Sequence, residues 1–142
     1  MIRIRPGWLV ALCAGVLAVS VWLPWLTTTA NGGGRVSAIG GAVGSLDLPP
    51  RFGVGQLIVL LTSSLVVAAA MAARGLSQKW AAGVACAISV AVTALTVLYH
   101  HLFVGGGVIA GYGFYIGLCS AVAAVVFSVW TLVQALSAGR RR

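Results

Sequence analysis

The sequence predicts an all-α membrane protein, a single domain over residues 1–142 in which four transmembrane helices form a bundle. Three observations carry that expectation. Of the 142 residues, 61% are hydrophobic and only 7% charged, too little polar surface for a water-soluble domain. Apolar runs lie at about 7–26, 54–73, 80–99 and 112–136, each near or above the roughly 20 residues that cross a hydrocarbon core as a helix. The charges sit between and beyond these runs and alternate by side. Arg3, Arg5, Arg74, Lys79, Arg140, Arg141 and Arg142 fall on one side, and only Arg35 and Arg51 on the other. By the positive-inside rule both termini are expected to be cytoplasmic, in a bacterial inner membrane.

The first run begins after Arg3 and Arg5 and ends in Trp22-Leu23-Pro24-Trp25-Leu26. That bulky end is unlike a signal-peptidase site, so the run is expected to stay as a helix. Cys13 does not make a lipobox, because Leu12 stands where a small residue is needed. The following segment, Thr27 to Gly53, contains Asn31-Gly32-Gly33-Gly34, Gly40-Gly41 and Pro49-Pro50. Its glycines permit tight turns, and the alternation across Arg35-Val36-Ser37-Ala38-Ile39 predicts a short β-hairpin over the bundle. Between the second and third runs only Arg74 to Lys79 intervene, so those helices form an antiparallel hairpin with Ser77 as N-cap of the third. The second external segment, His100 to Gly111, is apolar and glycine-rich and is expected to pack on the first loop or on another subunit. About 27 residues outside the membrane are too few for an independent soluble core.

Net charge is +8, with Asp47 the only acidic side chain. Because the cations are dispersed in short clusters at the ends of the runs, they indicate orientation and attraction to anionic lipid headgroups rather than nucleic acid. Cys13, Cys86 and Cys119 lie far apart inside apolar runs and make neither a metal motif nor a disulfide framework, so they are expected to be small buried side chains. His100 and His101 are adjacent, hence about 100° apart on a helix, and do not ligate one metal together without distortion. No Asp, Glu, Lys or Arg interrupts an apolar run, whereas proton relays and ion pathways place such groups in the membrane. With one carboxylate and no nucleophile beside an evident base, the residues for catalysis are missing. The expectation is therefore a non-enzyme without cofactor or metal.

Two patterns nominate interaction residues. Trp8, Trp22, Trp25 and Trp80 lie near the ends of runs, where an indole suits the headgroup level as a membrane-interface anchor; Trp130 lies deeper. Small residues recur every fourth position: Ala11 and Gly15; Ala81, Ala85 and Ser89; Gly113, Gly117 and Ala121. Such stripes let another backbone approach closely, either within the bundle or from a partner protein. Gly113, Gly117, Ala121, Ala11 and Gly15 are the candidate partner interface.

The segments Trp22-Leu23-Pro24-Trp25 and Gly111-Tyr112-Gly113-Phe114-Tyr115-Ile116-Gly117-Leu118 resemble those of small four-helix membrane proteins of actinobacteria. The order of spans, with the longer first external loop, also looks like the claudin arrangement, but neither external loop has the cysteines of the claudin disulfide. The actinobacterial resemblance implies a non-catalytic accessory subunit of a larger membrane complex, an Mce-type envelope lipid importer or a respiratory assembly. The alternative is a self-associating protein that binds or passes lipid. The partners implied are a larger membrane complex and lipids, with no nucleic acid.

Overall fold

The computed structural model describes residues 5–44 and 53–140. In chain order these form α1 (Pro6–Ser20), β1 (Pro24–Thr28), a 3-10 turn (Ala30–Gly32), β2 (Gly34–Ser37), β3 (Ala42–Gly44), α2 (Val54–Arg74), α3 (Gln78–Phe103), β4 (Val108–Ala110) and α4 (Tyr112–Arg140). Helices α2, α3 and α4 are long and apolar enough to cross a membrane; α1 is apolar and shorter. Helix α1 packs on α2 and α4, and α3 packs on the same two from the other side. The four helices thus follow one another in a ring. Asp47, Pro49-Pro50, Arg3, Arg51, Arg141 and Arg142 lie outside the described residues.

The first helix is shorter than its apolar run. It stops at Ser20, where the run predicts a helix to about residue 26. Pro24 is the cause: in a continued helix its ring would clash with the carbonyl of Ser20, four residues earlier. That carbonyl instead accepts hydrogen bonds from the Leu23 N–H at 3.0 Å and from Trp25 Nε1 at 2.7 Å. Chain that looked transmembrane becomes a strand.

The sheet is four-stranded and antiparallel, in the order β3-β2-β1-β4. The predicted hairpin is present as β2 and β3, with Val36 opposite Ala42 and Arg35 opposite Val43. Strand β1 pairs with β2 through Leu26 and Val36, and with β4 through Leu26 and Ala110. Side chains alternate across a strand, so Leu26 and Val36 are buried against the helices while Arg35, Val43 and Ile109 face outward. Pairing of β1 with β4 shows that the second loop packs on the first. A bulge between Pro24 and Leu26 leaves Trp25 outside the ladder register.

Trp25 fills that bulge and points down into the helices. It is fully buried, with its ring edge-on to Tyr99 (centroids 5.3 Å apart) and to Phe114 (5.7 Å). Trp25, Leu26, Val36 and Ala38 join Leu17, Ile58, Tyr99 and Phe114 in one core, so sheet and helices share an interior. Farther from the sheet, a second cluster of Val10, Ala14, Leu65, Ala68, Ala69, Ala85 and Ala124 brings the helix backbones close through alanine.

Buried hydroxyls complete the interior. Thr62 donates to Ile58 O at 2.7 Å, Thr96 to Val92 O at 2.8 Å, Ser128 to Val125 O at 2.9 Å, and Ser89 to Ala85 O. Ser89 and Ser128 also lie 3.1 Å apart across α3 and α4. Among the described residues no buried side-chain polar atom lacks a partner. Ser77 precedes α3 as foreseen, but it takes φ +43° and makes no side-chain cap.

Glycine placement gives a stability contrast. A Cβ at Gly117 would lie 2.8 Å from Trp25 Cζ2 and 2.9 Å from Ser20 Oγ, whereas one at Gly15 would meet nothing within 4 Å. Gly117→Leu is expected to cost about 1–3 kcal/mol or to prevent folding by overpacking. Gly15→Leu is expected not to lower stability. Thermal unfolding of the two variants in one mild detergent checks the contrast.

Candidate interaction site at the sheet

Both loops at this end of the helices contribute strands to the sheet, and hydrogen bonds from side chains fix it to its neighbours. Gln56, in the first turn of α2, accepts from the Gly53 N–H at 2.9 Å and donates to Ile39 O at 3.0 Å. Gly55 lies hard against Ala38 O, where a Cβ would not fit. At the other side Thr28 Oγ1 donates to Gly107 O at 3.0 Å, and the Gly111 N–H donates to Trp25 O at 2.8 Å. Both loops are therefore held to one platform.

A groove of about 600 Å³ crosses the outer side of this platform. Its walls include the rings of Trp22 and Tyr112, both well exposed, and the backbone of Gly32 to Gly34. Arg35 and Ser37 supply a guanidinium and a hydroxyl, and Val43 an apolar contact. Strand β3, the edge of the described sheet, is exposed at all three residues. An open strand edge beside exposed aromatics can take an extended segment of another chain through backbone hydrogen bonds. The glycine-rich stretch that read as turn chemistry is thus the groove wall.

The residues nominated from sequence separate into two groups. Gly113, Gly117 and Ala121 are buried; a Cβ at Gly113 would lie 2.7 Å from Leu23 Cβ, and Gly117 faces Trp25 and Ser20. Ala81, Ala85 and Ser89 are buried as well. Ala11 packs beside the alanine cluster, and Gly15 is the one member of the set with open space over it. Gly15 apart, these small residues are taken up by packing within the chain.

Among the tryptophans, Trp8, Trp22 and Trp80 are exposed near helix ends, at 50%, 75% and 82% of their surface, as is Trp130 on α4. Trp25 is corrected: it is a core residue rather than an interface anchor, because Pro24 turns the chain and the notch over Gly117 receives its ring. The cysteines are corrected too. All three are free, Cys119 is exposed, and Cys13 and Cys86 are half-buried. His100 and His101 lie in the last turn of α3 with ring planes at 87°; His100 stands 5.4 Å from the Phe114 ring. Among the described residues no group of three metal-ligating side chains occurs.

Compared with protein-family models, curated proteins and solved structures, the chain matches none. Geometry therefore carries the functional reading.

The tie between the loops is testable. Thr28→Val removes the hydrogen bond to Gly107 O and the one that Oγ1 accepts from the Ala30 N–H, exposed interactions of about 1 kcal/mol or less each. Amide exchange at Val108 to Ala110 is expected to quicken while exchange in α3 and α4 stays unchanged, measured by hydrogen–deuterium exchange.

Proposed function

We propose that the chain is a non-catalytic accessory subunit that stabilises or positions a larger bacterial membrane complex, docking it through the external sheet. The observation that carries this reading is the internal use of the small-residue stripes. Gly113 and Gly117 are occupied by Leu23, Pro24, Trp25 and Ser20 of the same chain. Among the described residues the surface left exposed at this end is instead the groove of Trp22, Arg35 and Tyr112 and the edge of β3. In this reading the four helices form one transmembrane bundle in the inner membrane, with both termini cytoplasmic. The cations support that orientation: Arg5, Arg74, Lys79 and Arg140 stand at the end opposite the sheet, and Arg35 at the sheet. Envelope lipid import is the process to which the sequence resemblance points.

The interior supports a non-catalytic role, because its hydroxyls are spent on the helices' own carbonyls. Outward-facing Leu12, Leu60, Val67, Val97 and Val126 suit contact with acyl chains along the helix surfaces.

Native purification from the source membranes in mild detergent tests the proposal. One larger complex is expected to co-purify in fixed ratio, as a colourless preparation without a Soret band. Val43→Glu and Arg35→Glu, both at exposed positions, are expected to reduce that recovery at least tenfold without altering thermal stability. A partner-free, lipid-loaded protein, or recovery indifferent to both substitutions, would overturn it.

A further inference from the structure

A second cavity lies at the end of the molecule away from the sheet, and the reading above does not use it. It encloses about 850 Å³ and is walled by all four helices: Arg5 and the first residues of α1, Ala72 of α2, Gln78 of α3, and Thr131 and Gln134 of α4. Arg5 Nη1 donates to Ala73 O at 3.4 Å, so the guanidinium rests on the C-terminal end of α2, where the helix dipole favours a cation. Only one of its five N–H donors is engaged there. Gln78 and Gln134 bring two exposed carboxamides to the same cavity. Thr131 closes the wall with a hydroxyl already donated to Phe127 O at 2.8 Å.

Charge selects the ligand. Arg74, Lys79 and Arg140 stand at the same end, and the one acidic side chain of the sequence, Asp47, belongs to the connection between β3 and α2. Among the described residues no acidic side chain faces this cavity. Helices α1 and α3 begin at this end and α2 and α4 finish here, so the helix dipoles largely offset one another and the positive potential comes from the basic side chains. A planar guanidinium fork flanked by amide donors matches the oxygens of a phosphate. A basic recess between helix ends is where an anionic headgroup would sit if the helices span a bilayer.

We propose that this cavity binds a phosphate-bearing anion, with Arg5 gripping two of its oxygens and Gln78 and Gln134 hydrogen-bonding the others. The source is a phospholipid headgroup or a free phosphate. The site does not depend on the docking role of the sheet, since the two lie at opposite ends of the helices.

The purified full chain in neutral detergent is titrated with dihexanoyl-phosphatidylglycerol, inorganic phosphate and dihexanoylglycerol, following thermal unfolding and native mass spectrometry. Phosphatidylglycerol is expected to raise the midpoint and to remain bound, with affinity falling about tenfold or more in Arg5→Gln. Gln134→Leu, at an exposed position that does not threaten folding, is expected to weaken binding severalfold; Arg35→Gln, at the other end, is expected to bind as the unaltered chain does. A shift with inorganic phosphate as well supports a site for the free anion, and a shift with the phospholipid alone supports a headgroup site. An equal response to dihexanoylglycerol, binding of neither phosphate compound, or affinity untouched by both Arg5→Gln and Gln134→Leu would overturn the proposal.

Discussion

The break at Pro24 is the constraint on which the rest depends. A proline four residues after Ser20 cannot continue α1, and the released Ser20 carbonyl is claimed by the Trp25 indole. That bond sends Trp25 inward instead of to the surface. The space for a buried indole exists because Gly117 carries no side chain, while Gly113 admits Leu23 and the Pro24 carbonyl beside it. One imino acid, one aromatic and two glycines therefore hold α1, α4 and the sheet in a single arrangement, with Tyr99 of α3 closing the aromatic contact at 5.3 Å.

The sheet solves a problem that the short loops create. Backbone N–H and C=O groups near an apolar core need partners, and too few residues lie outside the helices to build a separate folded domain. Pairing β1 with both β2 and β4 satisfies the two loops against each other, while Leu26 and Val36 borrow the helices' own core. The platform is stable because it shares an interior with the helices. Its outer face, relieved of any packing duty, is left with Arg35, Val43 and the two exposed rings.

Apolar length and charge alternation located α2, α3 and α4 in the sequence, since both follow directly from what a bilayer tolerates. Alternation at Arg35 to Ile39 bounded by glycine announced a hairpin and coincides with β2, whereas β3 at Ala42 to Gly44 lies beyond it. Strands β1 and β4 were not legible, because Trp25-Leu26 and Val108-Ile109-Ala110 are apolar without alternation, and three to five such residues do not distinguish a strand from a helix end. The spacing of Gly113, Gly117 and Ala121 announced a close approach but not its partner: a small-residue stripe looks the same whether a neighbouring helix or another protein fills it. The cavity at Arg5 was illegible for a different reason. It gathers residues 5, 72, 78, 131 and 134, and no local pattern links positions that only helix packing brings together.

The two ends of the molecule differ in how their polarity is spent. At the sheet end β1 is paired on both sides, and Arg35 is the one Lys or Arg side chain among the described residues there. At the other end four described cations stand with no acidic side chain near them in the chain, and Arg5 is steadied only by a carbonyl. Like charges gathered without counter-charges repel, an unfavourable arrangement for the isolated chain that an external anion would relieve. Orientation alone asks for cations anywhere near the helix ends; it does not ask that one be drawn over the end of α2, at a recess walled by all four helices. That placement is what separates a binding site from a topological signal, and it ties the stability of this end to whatever anion occupies it.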